Sequence, residues 1–127
     1  IVKLLLAAGA KVDIQSDWYG NTLQAASATG HEKIIKLLLK HGANVNAHGG
    51  IYGNALQAAS AKGFKEIATL LLDNEADVNA NGGHYGTALQ IASLEGQEHI
   101  VKLLLSKGAN VNAQGGEYGS ALQAASA

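Results

Sequence analysis

Residues 49–60 read GGIYGNALQAAS, and residues 115–126 read GGEYGSALQAAS. The same phrase returns in altered form around Tyr19 and Tyr85, so that Tyr19, Tyr52, Tyr85 and Tyr118 are each followed by glycine and each stands 33 residues after the last. Leu23, Leu56, Leu89 and Leu122 keep that step, as do Gln24, Gln57, Gln90 and Gln123. Valine-asparagine-alanine recurs at 45–47, 78–80 and 111–113. Self-similarity at one fixed period signals a repeat array in which each repeat is a single supersecondary unit.

One unit, 51–83, shows what is repeated. Asn54 is a good helix N-cap, and its counterparts Asn21, Thr87 and Ser120 are also capping types. A short helix rich in small residues, ALQAASAK, follows, and Gly63 closes it as a left-handed residue just past the helix end. A second helix, FKEIATLLLDN, sets Ile67, Leu70 and Leu71 on one face at i, i+3, i+4 spacing. A hairpin-like loop with turn glycines, EADVNANGGHYG, completes the unit. Small side chains such as Ala58, Ala59 and Ser60 let the first helix approach its neighbours, while the leucines fill the space between repeats. One unit cannot cover its own apolar face, so stacking must supply the core.

These residues resemble the ankyrin repeat family. GHEKIIKLLLKHGANVNA (30–47) and IVKLLLSKGANVNA (100–113) are similar to its second helix and following loop, and the resemblance runs the length of the chain. It implies an all-α solenoid of stacked helix-turn-helix units with hairpin-like loops. The family's threonine-proline-leucine-histidine start is altered here. The cap survives, alanine or threonine replaces proline, and glutamine replaces histidine throughout; glutamine can still bridge to loop backbone. The tyrosine-glycine loop is similar in style to ankyrin arrays of fungal multidomain signalling proteins. His31 matches the family's glycine-histidine position, where the histidine helps begin the second helix. The expected division is a partial repeat at 1–17, full repeats at 18–50, 51–83 and 84–116, and a partial repeat at 117–127. Neither end carries a polar capping repeat and no initiator methionine is present, so the native array is expected to continue on both sides, leaving IVKLLL at the start with apolar surface to be covered. Glu75 breaks the pattern: Gly42 and Gly108 hold the position after the second helix in the neighbouring repeats. If that position is left-handed, Glu75 costs on the order of 1 kcal/mol there and marks a weak point between repeats; sequence drift that the fold tolerates is the alternative.

Bulk properties narrow the function. The chain has 127 residues, a net charge of −1 and no cysteine. Nothing electrostatic draws it to nucleic acid or to a membrane surface, and no apolar run approaches the roughly 20 residues that span a bilayer. Disulfides and thiolate zinc sites are excluded. A cysteine-free chain is compatible with a reducing compartment, and an intracellular, cytoplasmic location is expected. The loops GGIYG, GGHYG and GGEYG lack the lysine and serine or threonine of a phosphate-binding loop. His31, His41, His48, His84 and His99 include no helical i, i+4 pair, so no metal is expected. Ser27, Ser60, Ser93 and Ser126 recur beside alanines and read as helix-packing residues, since a nucleophile repeated in every unit has no mechanistic sense. Neither an enzyme nor a cofactor is expected.

What remains is surface. Each position of a stacked array forms a ladder with one rung per repeat. Matched residue by residue, the resemblance implies a concave binding face built from hairpin tips and the exposed side of the first helices. The tip rungs are Trp18, Ile51, His84 and Glu117, and the rungs before the double glycine are Gln15, His48, Asn81 and Gln114. On the first helix they are Ala28, Ala61 and Leu94, followed by Thr29, Lys62 and Glu95. These letters change between repeats while scaffold letters do not. Trp18 and Ile51 suit a hot spot, as adjacent aromatic and aliphatic side chains. The expected function is therefore a protein-protein interaction module with an unknown protein partner. The alternative is a structural spacer or regulatory sensor segment of a larger signalling protein. The tyrosine, which never changes, is expected to have a structural role in the loop ladder.

Overall fold

A computed structural model describes residues 15–16 and 20–113 of the chain. Among the described residues there are six helices in three pairs: α1 (Thr22–Thr29) with α2 (Glu32–Lys40), α3 (Ala55–Lys62) with α4 (Lys65–Asp73), and α5 (Ala88–Leu94) with α6 (Glu98–Ser106). The only strands among those residues are β1 (Gln15–Ser16) and β2 (Gly20–Asn21), paired antiparallel with Gln15 opposite Asn21. In the next two repeats that hairpin shrinks to one antiparallel bridge, Gly49 with Gly53 and Gly82 with Gly86. The architecture is the all-α stacked solenoid that the repeat period implies. Residues 1–6, where an uncovered apolar surface is expected, lie outside the described residues.

The first helices start at the capping positions. Asn21 and Asn54 each accept from the backbone N–H three residues on, at 2.9 and 2.8 Å, and Thr87 does so at 3.2 Å. At Asn21 and Thr87 the glutamine side chain returns the bond, its Oε1 accepting the cap's own N–H at 2.6 Å in both cases. That reciprocal box satisfies two helix-end donors at once. Both helices of each pair end the same way. Gly30, Gly63 and Gly96 are left-handed, and the next residue donates to a carbonyl five back: His31 to Ala26, Phe64 to Ala59, Gln97 to Ala92. After the second helices, Ala43, Ala76 and Ala109 donate likewise to Leu38, Leu71 and Leu104. The residue that turns left there is Gly42, Glu75 or Gly108, and Glu75 has φ 69°, as its position in the repeat implies. His31 departs from expectation. Its backbone occupies the N-cap of α2, but its side chain makes no cap bond and instead meets the Thr29 hydroxyl at 2.7 Å.

The first helices form one layer, α1 on α3 and α3 on α5, with each second helix packed behind its own partner. The core lies between the layers. Leu23, Leu56 and Leu89 from the first helices meet Leu38, Leu71 and Leu104 from the second, all essentially sealed from solvent. Each such leucine contributes about 1.5–3 kcal/mol of burial. The alanines make the close approach possible: Ala55, Ala58 and Ala59 are buried on a helix squeezed from both sides. This overturns one assignment. Ala28 and Ala61 are placed on the exposed face by sequence matching, yet both are buried, because the neighbouring helices close over those positions.

Candidate functional site

The hairpin glycines set the spacing between successive hairpins. Gly83 is left-handed at φ 66°, and a Cβ there would lie 2.6 Å from the Gly53 nitrogen and 2.8 Å from the Ile51 carbonyl oxygen. Backbone therefore rides on backbone from one hairpin to the next, and only glycine permits it. The contact is fastened by the His84 N–H, which donates to the Ile51 carbonyl at 3.1 Å.

Glutamine holds each hairpin from behind. Gln24 Nε2 donates to the Gly49 and Gly53 carbonyls, both at 2.9 Å, and so ties α1 to the hairpin of the following repeat. Gln57 repeats the arrangement toward Gly82, at 3.3 Å, and Gly86. The expected bridge from glutamine to loop backbone is thus present, and it crosses between repeats. A second ladder was not read from the sequence at all. Asn46 donates through Nδ2 to the Glu75 carbonyl at 3.1 Å and accepts from the Asp77 N–H at 2.7 Å. Asn79 does the same toward the Gly108 carbonyl, at 3.2 Å, and the Asn110 N–H, at 2.7 Å. The recurring valine-asparagine-alanine was its only sequence trace.

On this frame the rungs take their places. Thr29, His48, Lys62, Asn81, His84 and Glu95 are exposed, while Ile51 and Leu94 are half-buried. His48 lies under the next hairpin, where a Cβ on Gly82 would meet its Nδ1 at 3.3 Å. Gln15 is described through its backbone in β1. Trp18, Gln114 and Glu117 lie outside the described residues, so the proposed pairing of Trp18 with Ile51 does too.

The structure brings Lys62 and Glu95 together with residues that sequence matching kept apart from them. A cleft of about 230 Å³ opens between the hairpins and the ends of α3 and α5, lined by Tyr52, Tyr85, Ala61, Lys62, Glu95 and Gln97. The Tyr52 and Tyr85 rings stack with centroids 6.4 Å apart and planes 23° from parallel. His84 meets Tyr85 edge-on at 5.1 Å, and the Lys62 ammonium lies 5.9 Å from the centre of the Tyr52 ring. Gln97 Nε2 donates to the Ala61 carbonyl at 3.3 Å across the floor. Tyr52 and Tyr85 therefore do build two steps of a ladder, and they also form a wall of the cleft. No helix among the described residues is long and apolar enough to cross a membrane.

A family model described as ankyrin repeats (3 copies) matches residues 1–82 and again 49–115. No curated protein matches the chain.

Proposed function

Because the chain belongs to the ankyrin repeat family, whose members are generally protein-protein interaction modules and typically non-catalytic, we propose that it binds a protein partner through the face made by its hairpins and first helices. The observation that carries this reading is the contrast between frame and rungs. The glutamine, asparagine and glycine positions that join repeats are the same in each. The exposed side chains standing on them differ: Thr29, Lys62 and Glu95 on one ladder, His48 and Asn81 on another. Packing that is alike in every repeat gives no reason for those differences, whereas a partner with its own irregular surface does. A stacked frame also presents its side chains with little ordering cost on binding.

Affinity capture with the chain as bait, followed by substitution, tests the proposal. A captured protein should be lost on combined Lys62→Ala, His84→Ala and Glu95→Ala, with helical circular dichroism unchanged. A partner retained by that variant but lost on substitution of exposed second-helix residues, such as Lys36 and Lys102, places binding on the opposite face. A chain that captures no partner supports a spacer instead.

A further inference from the structure

The hairpin before α5 contains the chain's single asparagine-glycine pair, Asn81–Gly82. The same rung is His48 one repeat earlier and Gln114 one repeat later, so the pair belongs to one hairpin alone. Every other asparagine of the chain precedes a residue that has a Cβ. That difference is chemical. A backbone nitrogen can attack the side-chain amide of the asparagine before it, and glycine has no side chain to hinder the approach. Asn81 is exposed, so water and base reach its amide.

The fold restrains the attacking atom. The Gly82 N–H donates to the Gly86 carbonyl at 3.0 Å, within the antiparallel bridge that closes the hairpin. Gln57, from the preceding repeat, donates through Nε2 to both carbonyls of that bridge, Gly82 at 3.3 Å and Gly86. The Gly82 nitrogen must leave this clamp before it can lose its proton and turn toward Asn81.

We infer that Asn81 is a deamidation site whose rate is set by opening of this hairpin, and therefore by Gln57. Once the hairpin opens, hydroxide takes the Gly82 amide proton and the nitrogen bonds to Asn81 Cγ. The Cγ–Nδ2 bond breaks, and ammonia leaves with a proton taken from water, closing a succinimide ring. Water then opens the ring. Cleavage between the Gly82 nitrogen and Cγ leaves aspartate. Cleavage between that nitrogen and the Asn81 backbone carbonyl carbon leaves isoaspartate, with the main chain now running through Cγ. No electrons are exchanged with any other species. The second product inserts one backbone atom, about 1.5 Å of chain, two residues before Gly83. There the backbone already rides so close to the preceding hairpin that a Cβ would lie 2.6 Å from the Gly53 nitrogen. The bond from the His84 N–H to the Ile51 carbonyl then loses its register. Deamidation thus loosens the junction between two repeats, whether or not the face above binds a partner.

Incubation of the whole chain at mildly alkaline pH, folded and in urea, followed by peptide mapping with mass spectrometry, tests the inference. In urea, Asn81 should convert to the acid before any other asparagine, and Asn81→Gln should abolish that conversion. In the folded chain it should convert more slowly, in proportion to the population of the open hairpin. Gln57→Ala should raise the folded rate about tenfold, the effect of losing a donor to buried carbonyls. Ile35→Val is the control, since it destabilises the core of the first helix pair without touching this hairpin. It should leave the rate nearly unchanged, and equal acceleration by the two variants would overturn the hairpin gate in favour of opening of the whole stack. Equal rates in the folded chain and in urea, or no conversion at Asn81 in urea, overturn the inference outright. The separated isoaspartyl chain should unfold at lower urea than Asn81→Asp, which carries the charge without the extra atom. Equal midpoints would overturn the loosening of the junction.

Discussion

Replacing Glu75 with glycine should make the protein more stable. Glu75 is the one described non-glycine residue with positive φ, at 69°, and it holds the position that Gly42 and Gly108 occupy at φ 88° and 90°. A side chain in the left-handed region costs about 1–2 kcal/mol, from its Cβ against the following carbonyl. The carboxylate adds a smaller penalty of a few tenths of a kcal/mol, because it sits at the negative end of the α4 dipole. Against this, glycine frees the unfolded chain and returns about 0.4–1 kcal/mol. The interactions made by residue 75 are backbone ones: its N–H donates to Leu72 at 3.1 Å, and its carbonyl accepts from Asn46. Both survive the change. The net gain is about 1 kcal/mol, which for a chain of this length raises Tm by a few degrees. Urea unfolding followed by circular dichroism gives the difference directly, with Glu75→Gln as the control that removes charge and leaves strain. Glu75→Gly no more stable than Glu75→Gln would refute the strain argument, and the residue would then be ordinary drift.

Gly83→Ala, in contrast, should destabilise by more than ~2 kcal/mol, since backbone strain adds to a clash with the preceding hairpin that neither backbone can relieve. Gly108→Ala supplies the comparison: it is equally left-handed, but its Cβ meets nothing within 4 Å, so it should cost only about 1 kcal/mol in the same urea titration. Gln24→Ala removes the donor shared by the partly buried Gly49 and buried Gly53 carbonyls and should cost about 2–6 kcal/mol, at ~1–3 for each abandoned acceptor. Gln24→His, which keeps a ring donor, should recover part of that loss. Asn79→Ala should cost about 1 kcal/mol and speed amide exchange at Asn110, whose N–H it now holds.

The helices were legible because their determinants are local. Asn54, the ALQAASAK run and Gly63 specify α3 within ten residues of chain, and the structure places that helix at Ala55–Lys62. The left-handed turn at Glu75 was legible by register alone. Relations between repeats were less so. The asparagine ladder joins residues 29 to 31 positions apart, and only the stacking distance decides that Asn46 reaches Glu75 and Asp77. Burial of Ala28 and Ala61 follows from the same cause: a helix wheel does not show that neighbouring helices close over those positions. Tyr52 and Tyr85 stand in the loop ladder as their fixed place implies, and only the folded arrangement shows that they also line the cleft.

The bridging side chains also give the array a direction. Gln24, Asn46, Gln57 and Asn79 all reach from one repeat to backbone of the next toward the C-terminus, with Gln97 reaching back to Ala61 as the counter-example. Melting the repeat on the N-terminal side of a junction therefore strips its follower of the glutamine donors to its buried and partly buried hairpin carbonyls, besides the exposed bonds to its loop. Melting the repeat on the C-terminal side leaves a polar side chain that water can serve. Disorder should spread more readily from the beginning of the stack toward its end than in the opposite sense, like a row of tiles in which each overlaps the one below.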